Sequence, residues 1–189
     1  MSSIAETTAN TGSFGPIDSL GRRRPRAGGP GRPRGMLFFM KLLDSLPKEA
    51  VLAELRSRDK KGIIEELTMP VARAANVEHR NLVRILMERE RLGSTGIGGG
   101  IGIPHGKMKG LDHLLVGFGR SREGVEFDSI DGRPAHLFFL LVTPENSIDV
   151  HLRLLARISR MLKNDVFKER LLDAADRDEL LRVIREEES

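Results

Sequence analysis

The chain has 189 residues, no cysteine and a net charge of +4 at neutral pH. This length allows one domain with its own core plus extra segments, and the lack of cysteine excludes disulfides, cysteine-ligated metal sites and thiol catalysis. No apolar run approaches the roughly 20 residues that a membrane-spanning helix needs, and the first residues lack the layout of a signal peptide. We therefore expect a cytoplasmic chain without membrane insertion.

The positive charge lies at the beginning of the chain. Residues 1–35 contain six arginines and two acids, which account for the whole net charge, so residues 36–189 are neutral overall. The segment is rich in Gly, Pro and Arg and poor in apolar residues, and we predict that residues 1–39 form a disordered extension. Such a tail can contact nucleic acid or an anionic surface. The alternatives are a solvated tail and an extension read from an upstream start codon.

Two helices are predicted in the first half of the chain. Asp59 can cap the first helix, whose apolar residues recur at helical spacing over 63–75. Pro70 should kink this helix or end it early. Asn76 can close it and cap the next helix, which is predicted over 78–91.

Strands are predicted mainly after the centre of the chain. Short continuous apolar runs predict buried strands over 114–118 and 137–142. The apolar residues of 125–130 suggest another strand before the turn at Asp131-Gly132. The segment 49–55 is short and apolar, and its pattern fits either a strand or a helix.

The last third of the chain is predicted to be helical. Pro144 and Ser147 precede a strongly periodic helix that extends to Leu162, and two shorter helices follow near 166–175 and 178–185. Helices before, between and after strands favour an α/β domain of two or three layers.

The most informative stretch is GSTGIGGGIGIPHGK, which runs from Gly93 to Lys107 and carries His105 between a proline and a glycine. Neutral imidazole is a nucleophile near neutral pH, and its attack on a phosphoryl group gives an activated phosphoramidate. Glycine amides can form a concave nest for phosphate oxygens. The candidate phosphate-binding glycines are Gly98, Gly99, Gly100, Gly102 and Gly106. The alternative is a glycine-rich turn that happens to contain a histidine.

Two further residues are candidates for the same site. His151 falls on the apolar side of its predicted helix and near the start of that helix, where the dipole disfavours a protonated ring. A neutral imidazole there could donate a hydrogen bond to a phosphoryl group; the alternative is a buried histidine satisfied by backbone. Arg89 precedes the glycine stretch and offers a charged fork for phosphate oxygens. Its alternatives are compensation of the helix dipole and a pair with Glu90.

Other functional motifs are not supported. The glycine stretch lacks the Lys-Ser/Thr of a P-loop, and its GxGxxG spacing is not followed by a convincing βαβ unit with a ribose-binding acid. The histidines show no HxxxH spacing, so no metal is assigned. His79, which we expect to face solvent, His113 in a polar turn and His136 at the start of a strand are given no role.

These motifs resemble those of the enzyme IIA domain of the bacterial phosphoenolpyruvate-dependent phosphotransferase system, in its fructose/mannitol/nitrogen-regulatory class. The resemblance covers roughly residues 40–187 and is greatest for the nitrogen-regulatory branch. The stretches that carry it are RERLGSTGIGGGIGIPHGK, FDSIDGRPAHLFFLLVTPE and HLRLLARISRML. It implies a mixed β-sheet flanked by helices on both faces, within an α/β enzyme IIA type-2 domain over 40–187.

The resemblance also implies a function. His105 would be phosphorylated on Nε2 by a histidine-containing phosphocarrier protein, with His151 and Arg89 as supporting residues and no cofactor. The output would be regulatory, through one or more target proteins. The alternatives are sugar uptake, in which phosphoryl passes to an enzyme IIB for fructose or mannitol, and an adaptor that binds nucleic acid or anionic surfaces through the basic tail. The neutral charge of the domain makes a nucleic-acid partner the weaker expectation.

Overall fold

A computed structural model describes residues 42–188. The predicted disordered extension over 1–39 lies outside the described residues. Two short 3₁₀ turns, Leu42–Ser45 and Lys48–Ala50, open the described part. The strands are β1 (Val51–Leu52), β2 (Gly96–Gly98), β3 (Ile101–Gly102), β4 (His105–Met108), β5 (Leu115–Val125) and β6 (Ala135–Pro144). The helices are α1 (Lys60–Ala75), α2 (His79–Arg91), α3 (Ile148–Met161), α4 (Asp165–Asp173) and α5 (Arg177–Glu187).

One mixed sheet contains all six strands, in the order β1-β5-β6-β3-β2, with β4 also paired to β6. β5 and β6 are antiparallel, whereas β6 is parallel to both β3 and β4. Along β6, Leu137 is opposite Ile101 of β3 and Leu141 is opposite His105 of β4. The beginning and the end of one central strand therefore carry different parts of the glycine-rich stretch.

Helices cover both faces of this sheet, as predicted. Successive side chains of a strand point to opposite faces. The Cα of Gly119 faces α1, where an added Cβ would lie 2.7 Å from Leu67. The next residue, Arg120, points the other way and donates from Nη1 to the carbonyls of Leu171 and Ala174 at the end of α4. Since both faces are covered, β6 is buried and apolar along most of its length.

The first helix shows how well its boundaries could be predicted. Asp59 caps α1 by accepting a hydrogen bond from the amide of Gly62 at 2.9 Å, as predicted. Asn76 ends it in the left-handed conformation, with φ of 52°. Pro70 does not end the helix early, because buried residues on both sides of it, including Leu67 and Val71, keep the helix packed on the sheet.

Several predictions about the remaining segments are wrong. The glycine-rich stretch, in which no strand is predicted, contains the three short strands β2, β3 and β4. Residues 125–130 do not form a separate strand: Val125 is the last residue of β5, and Ile130 is 79% exposed. Asn76 does not cap α2, whose N-cap position is occupied by Glu78.

Candidate functional site

His105 lies on β4, half-buried, with both ring nitrogens engaged. Its Nδ1 is 2.7 Å from the carbonyl oxygen of Ile103, which can only accept, so Nδ1 carries the proton. Its Nε2 is 3.1 Å from Nε of Arg89, which can only donate, so Nε2 presents a lone pair. The hydrogen bonds therefore define one neutral tautomer, in which Nε2 is the nucleophilic nitrogen.

The charge state of His105 agrees with this tautomer. Burial lowers the pKa of His105 below the ordinary value of histidine, and the positive charge of Arg89 lowers it further. The hydrogen bond to Ile103 and the charge of Glu90 act in the opposite direction but are outweighed. His105 is therefore neutral and able to act as a nucleophile at neutral pH.

His151 is brought beside His105 by α3, as the helical spacing predicts. It is 6% exposed, and the centroids of the two imidazole rings are 5.3 Å apart. Its Nδ1 is 2.9 Å from Oγ1 of Thr143 on β6. Burial, with repulsion from the His105 ring when it is protonated and from the charges of Lys107 and Arg89, lowers the pKa of His151 to about 4. The alternative of a histidine satisfied by backbone is wrong, because its partner is a side-chain hydroxyl.

Arg89 is the third predicted residue that the structure brings to this site. It lies in the last turn of α2, and besides its bond to His105 it donates from Nη1 to the carbonyl oxygen of Gly93 at 2.9 Å. Glu90 is not its partner. The buried Glu90 carboxylate instead binds Lys60 at 2.9 Å and the amide of Thr95 at 2.9 Å.

These contacts of Glu90 connect the end of α2 to the start of β2. The Thr95 hydroxyl also donates to Glu90, at 2.6 Å. Burial alone would raise the pKa of Glu90, but the hydrogen bonds from Thr95 and Lys60 lower it below the ordinary value, so the carboxylate stays charged. A charged, fully bonded carboxylate next to Arg89 holds the end of the helix in place.

The structure does not bring all five candidate glycines to His105. Gly98, Gly99 and Gly100 all have positive φ; Gly98 ends β2, and Gly99 and Gly100 form the turn to β3. The carbonyl of Gly100 accepts from the amide of Leu137, four residues before the partner of His105 on β6. Four strand residues span about 13 Å. At this distance Gly98, Gly99 and Gly100 are too far away to contact a group on His105.

Gly102 and Gly106 serve close packing. A Cβ on Gly102 would lie 2.7 Å from the ring of Phe138, and one on Gly106 would lie 2.8 Å from Cγ2 of Ile85 on α2. Both glycines therefore lie where a side chain would collide with a packed neighbour. Gly106 adjoins His105 in β4, but its α-carbon faces α2, on the opposite side of the sheet from the His105 ring.

The other histidines lie outside this site. His79 is half-buried, not solvent-facing as predicted, and its Nε2 is 2.9 Å from Oγ1 of Thr68. His113 is exposed beside Asp112, and His136 bonds the carbonyl of Ser121. Among residues 42–188, no three His, Cys, Asp or Glu side chains converge as they would around a metal ion. No helix in this range is long and apolar enough to cross a membrane.

The site thus combines two neutral imidazoles and a guanidinium at the edge of the sheet. The family described as "Phosphoenolpyruvate-dependent sugar phosphotransferase system, EIIA 2" matches residues 44–187. The chain belongs to this family. It is therefore a phosphocarrier component of the phosphotransferase system, and the sequence resemblance to enzyme IIA is confirmed.

Individual relatives agree with the family. The chain is 34% identical to a nitrogen regulatory protein of Bradyrhizobium diazoefficiens, over 77% of this chain and 95% of that protein. It is 33% identical to the fructose-specific EIIABC component of Bacillus subtilis, over 78% of this chain but 23% of that protein. The crystal structure of IIA-Ntr from Neisseria meningitidis superimposes with a TM-score of 0.71 at 32% identity, covering 75% of this chain and 97% of that one. The predicted fold class is thereby confirmed.

Proposed function

We propose that this chain is a cytoplasmic phosphocarrier of the nitrogen-regulatory type, which accepts a phosphoryl group on Nε2 of His105 from a histidine-containing phosphocarrier protein. The observation that carries the proposal is the tautomer of His105, with Nδ1–H donated to Ile103 and a lone pair on Nε2. A buried neutral imidazole whose lone pair faces the edge of the site is suited to nucleophilic attack on phosphorus.

The transfer step balances as a displacement. The bond between phosphorus and the donor's histidine nitrogen breaks, and its electron pair stays on that nitrogen. The bond between phosphorus and Nε2 of His105 forms, and positive charge develops on the His105 ring. The Ile103 carbonyl, 2.7 Å from Nδ1, stabilises this charge through the hydrogen bond it already accepts.

Arg89 and His151 hold the incoming group. In the free protein, Nε of Arg89 donates to the lone pair that must attack, so the guanidinium has to shift as phosphorus approaches. Phosphoryl oxygens then replace Nε2 as the acceptors of its N–H groups. His151 lies beside the ring and, being neutral, can donate one hydrogen bond to the phosphoryl group. No cofactor enters the step.

The regulatory assignment is supported by the share of each relative's length that the chain covers. The Bradyrhizobium nitrogen regulatory protein aligns over nearly its whole length, whereas the Bacillus fructose component is much longer than the matched part. A phosphoryl group adds nearly two negative charges to the site, which is enough to change the affinity for a target protein. The alternative is transfer to an enzyme IIB during fructose or mannitol uptake.

One experiment tests the acceptor. The full-length chain is incubated with labelled phosphoenolpyruvate, enzyme I and the cognate carrier. Label should appear on the wild type and on His113→Ala, a matched control that removes an exposed histidine outside the site, and should be absent from His105→Ala. Equal labelling of His105→Ala would overturn the proposal. Adding a fructose- or mannitol-type enzyme IIB separates the two roles, because rapid loss of label to it would favour sugar uptake.

A further inference from the structure

Thr143 is a polar residue inside the site that neither composition nor motif singled out. It is fully buried on β6, and its Oγ1 is 2.9 Å from Nδ1 of His151. Leu141 is paired with His105, and Thr143 lies two residues further along β6. The side chains of Thr143 and His105 therefore lie on the same face of the sheet. The sheet that presents the nucleophile therefore also holds the second imidazole.

The direction of this hydrogen bond follows from the proton of the hydroxyl group. If His151 donated from Nδ1, the buried hydroxyl of Thr143 would need another acceptor for its own proton. The hydrogen bonds of residues 42–188 give Thr143 Oγ1 one partner, Nδ1 of His151. A buried donor without an acceptor is costly, whereas an oxygen lone pair left unpaired is better tolerated. Donation from Thr143 to Nδ1 is thus the arrangement that satisfies both groups.

We infer that Thr143 is a positioning residue, which donates to Nδ1 of His151 and thereby keeps the His151 proton on Nε2. The inference rests on the proposed function, because it gives that proton a use as a donor to the phosphoryl oxygens. Phosphoryl oxygens accept hydrogen bonds and cannot donate to a ring lone pair at neutral pH. A His151 ring with its proton on Nδ1 would present a lone pair to them.

The two histidines then carry opposite tautomers. Ile103 holds the proton of His105 on Nδ1 and leaves a lone pair on Nε2, the nucleophile. Thr143 donates to the lone pair on Nδ1 of His151, so the ring proton stays on Nε2, which is the donor. The ring centroids of these two histidines are 5.3 Å apart. Their different roles are thus set by different hydrogen-bond partners, Thr143 on β6 and the Ile103 carbonyl before β4.

The tautomers can be measured directly by nitrogen-15 NMR of the histidine rings in the full-length, unphosphorylated protein near neutral pH. The inference expects a protonated Nε2 and an unprotonated Nδ1 for His151, and the reverse for His105. A His151 ring with its proton on Nδ1 would overturn it. This readout needs no phosphoryl donor, so it stands apart from the phosphotransfer assay. A wild-type chain that fails to accept phosphoryl would instead overturn the proposed function.

Variants test what the hydrogen bond does for the reaction. Thr143→Val keeps the shape of the side chain but removes the hydroxyl, and it should lower the rate of phosphoryl acceptance about tenfold, the scale of one hydrogen bond. Thr143→Ser should restore the rate and the wild-type ring signals of His151. If Thr143→Val does not fold, the wild-type tautomers and the serine variant still test the inferred role of Thr143.

A matched control exists elsewhere in the fold. Thr68 also pairs its hydroxyl with a half-buried imidazole outside the site, where its Oγ1 accepts from Nε2 of His79 at 2.9 Å. Thr68→Val should therefore leave both the acceptance rate and the His151 signals unchanged. A Thr143→Val protein that accepts phosphoryl at the wild-type rate, or a Thr68→Val protein that loses as much activity, would contradict the assigned role of Thr143.

Discussion

His151 should make the stability of this fold fall as the pH drops below neutral. In the folded chain burial and nearby positive charge lower its pKa from 6.5 to about 4. Between these two values the unfolded chain binds a proton that the folded chain does not, so the free energy of unfolding decreases as the pH falls through this window. The difference between the two pKa values corresponds to about 3 kcal/mol.

Urea unfolding of wild type and His151→Gln, measured between pH 7 and pH 4, isolates this contribution from that of other groups. Over this range the wild type should lose about 3 kcal/mol more than the glutamine variant, which has no proton to gain at this position. Leu154→Ala is the control, because it removes packing from the same helix without removing a titratable group. Its difference from wild type should stay constant. A constant difference for His151→Gln as well would refute the reasoning.

Three further substitutions test the surroundings of the site. Arg89→Lys keeps the charge but loses the planar fork, and should slow phosphoryl acceptance about tenfold in a rapid-quench assay; an unchanged rate would contradict its role. Glu90→Gln should lower the free energy of unfolding by about 2 kcal/mol through weaker bonds to buried donors, measured by urea unfolding; no loss would contradict its anchoring role. Gly99→Ala should lower the free energy of unfolding by about 1 kcal/mol because of the left-handed φ at this position, while labelling on His105 stays normal. Loss of labelling would show that this turn takes part in the site.

Much of the fold could be predicted because local signals and packing agree. The periodic apolar residues of α3 and the apolar run of β6 are each sufficient for their element, and the cap at Asp59 marks where α1 begins. The short strands β2, β3 and β4 could not be predicted in this way. Glycine has little preference for strands, and these segments are extended because they pair with each other or with β6.

Some residues of the candidate site could be predicted from the sequence and others could not, for the same physical reason. His105, His151 and Arg89 could be predicted because each combines a reactive side chain with a definite place on a strand or helix. Thr143 and Glu90 could not, since a threonine in an apolar strand and a glutamate in a charged helix give no signal of their own. Their importance arises from contacts between different elements, β6 with α3 for Thr143 and α2 with α1 for Glu90, which appear only once the elements have packed.

The glycine stretch serves the site by a different route from the one its composition suggested. Without a side chain at Gly106, Ile85 of α2 approaches the backbone of β4 so closely that an added Cβ would be 2.8 Å away. Arg89 is one helical turn beyond Ile85, and its Nε reaches the ring of His105, the residue before Gly106. The close approach of helix and strand therefore brings the guanidinium within hydrogen-bond distance of the nucleophilic nitrogen. The glycine nearest to His105 therefore acts on the site through packing, by allowing the Arg89 side chain to reach the ring.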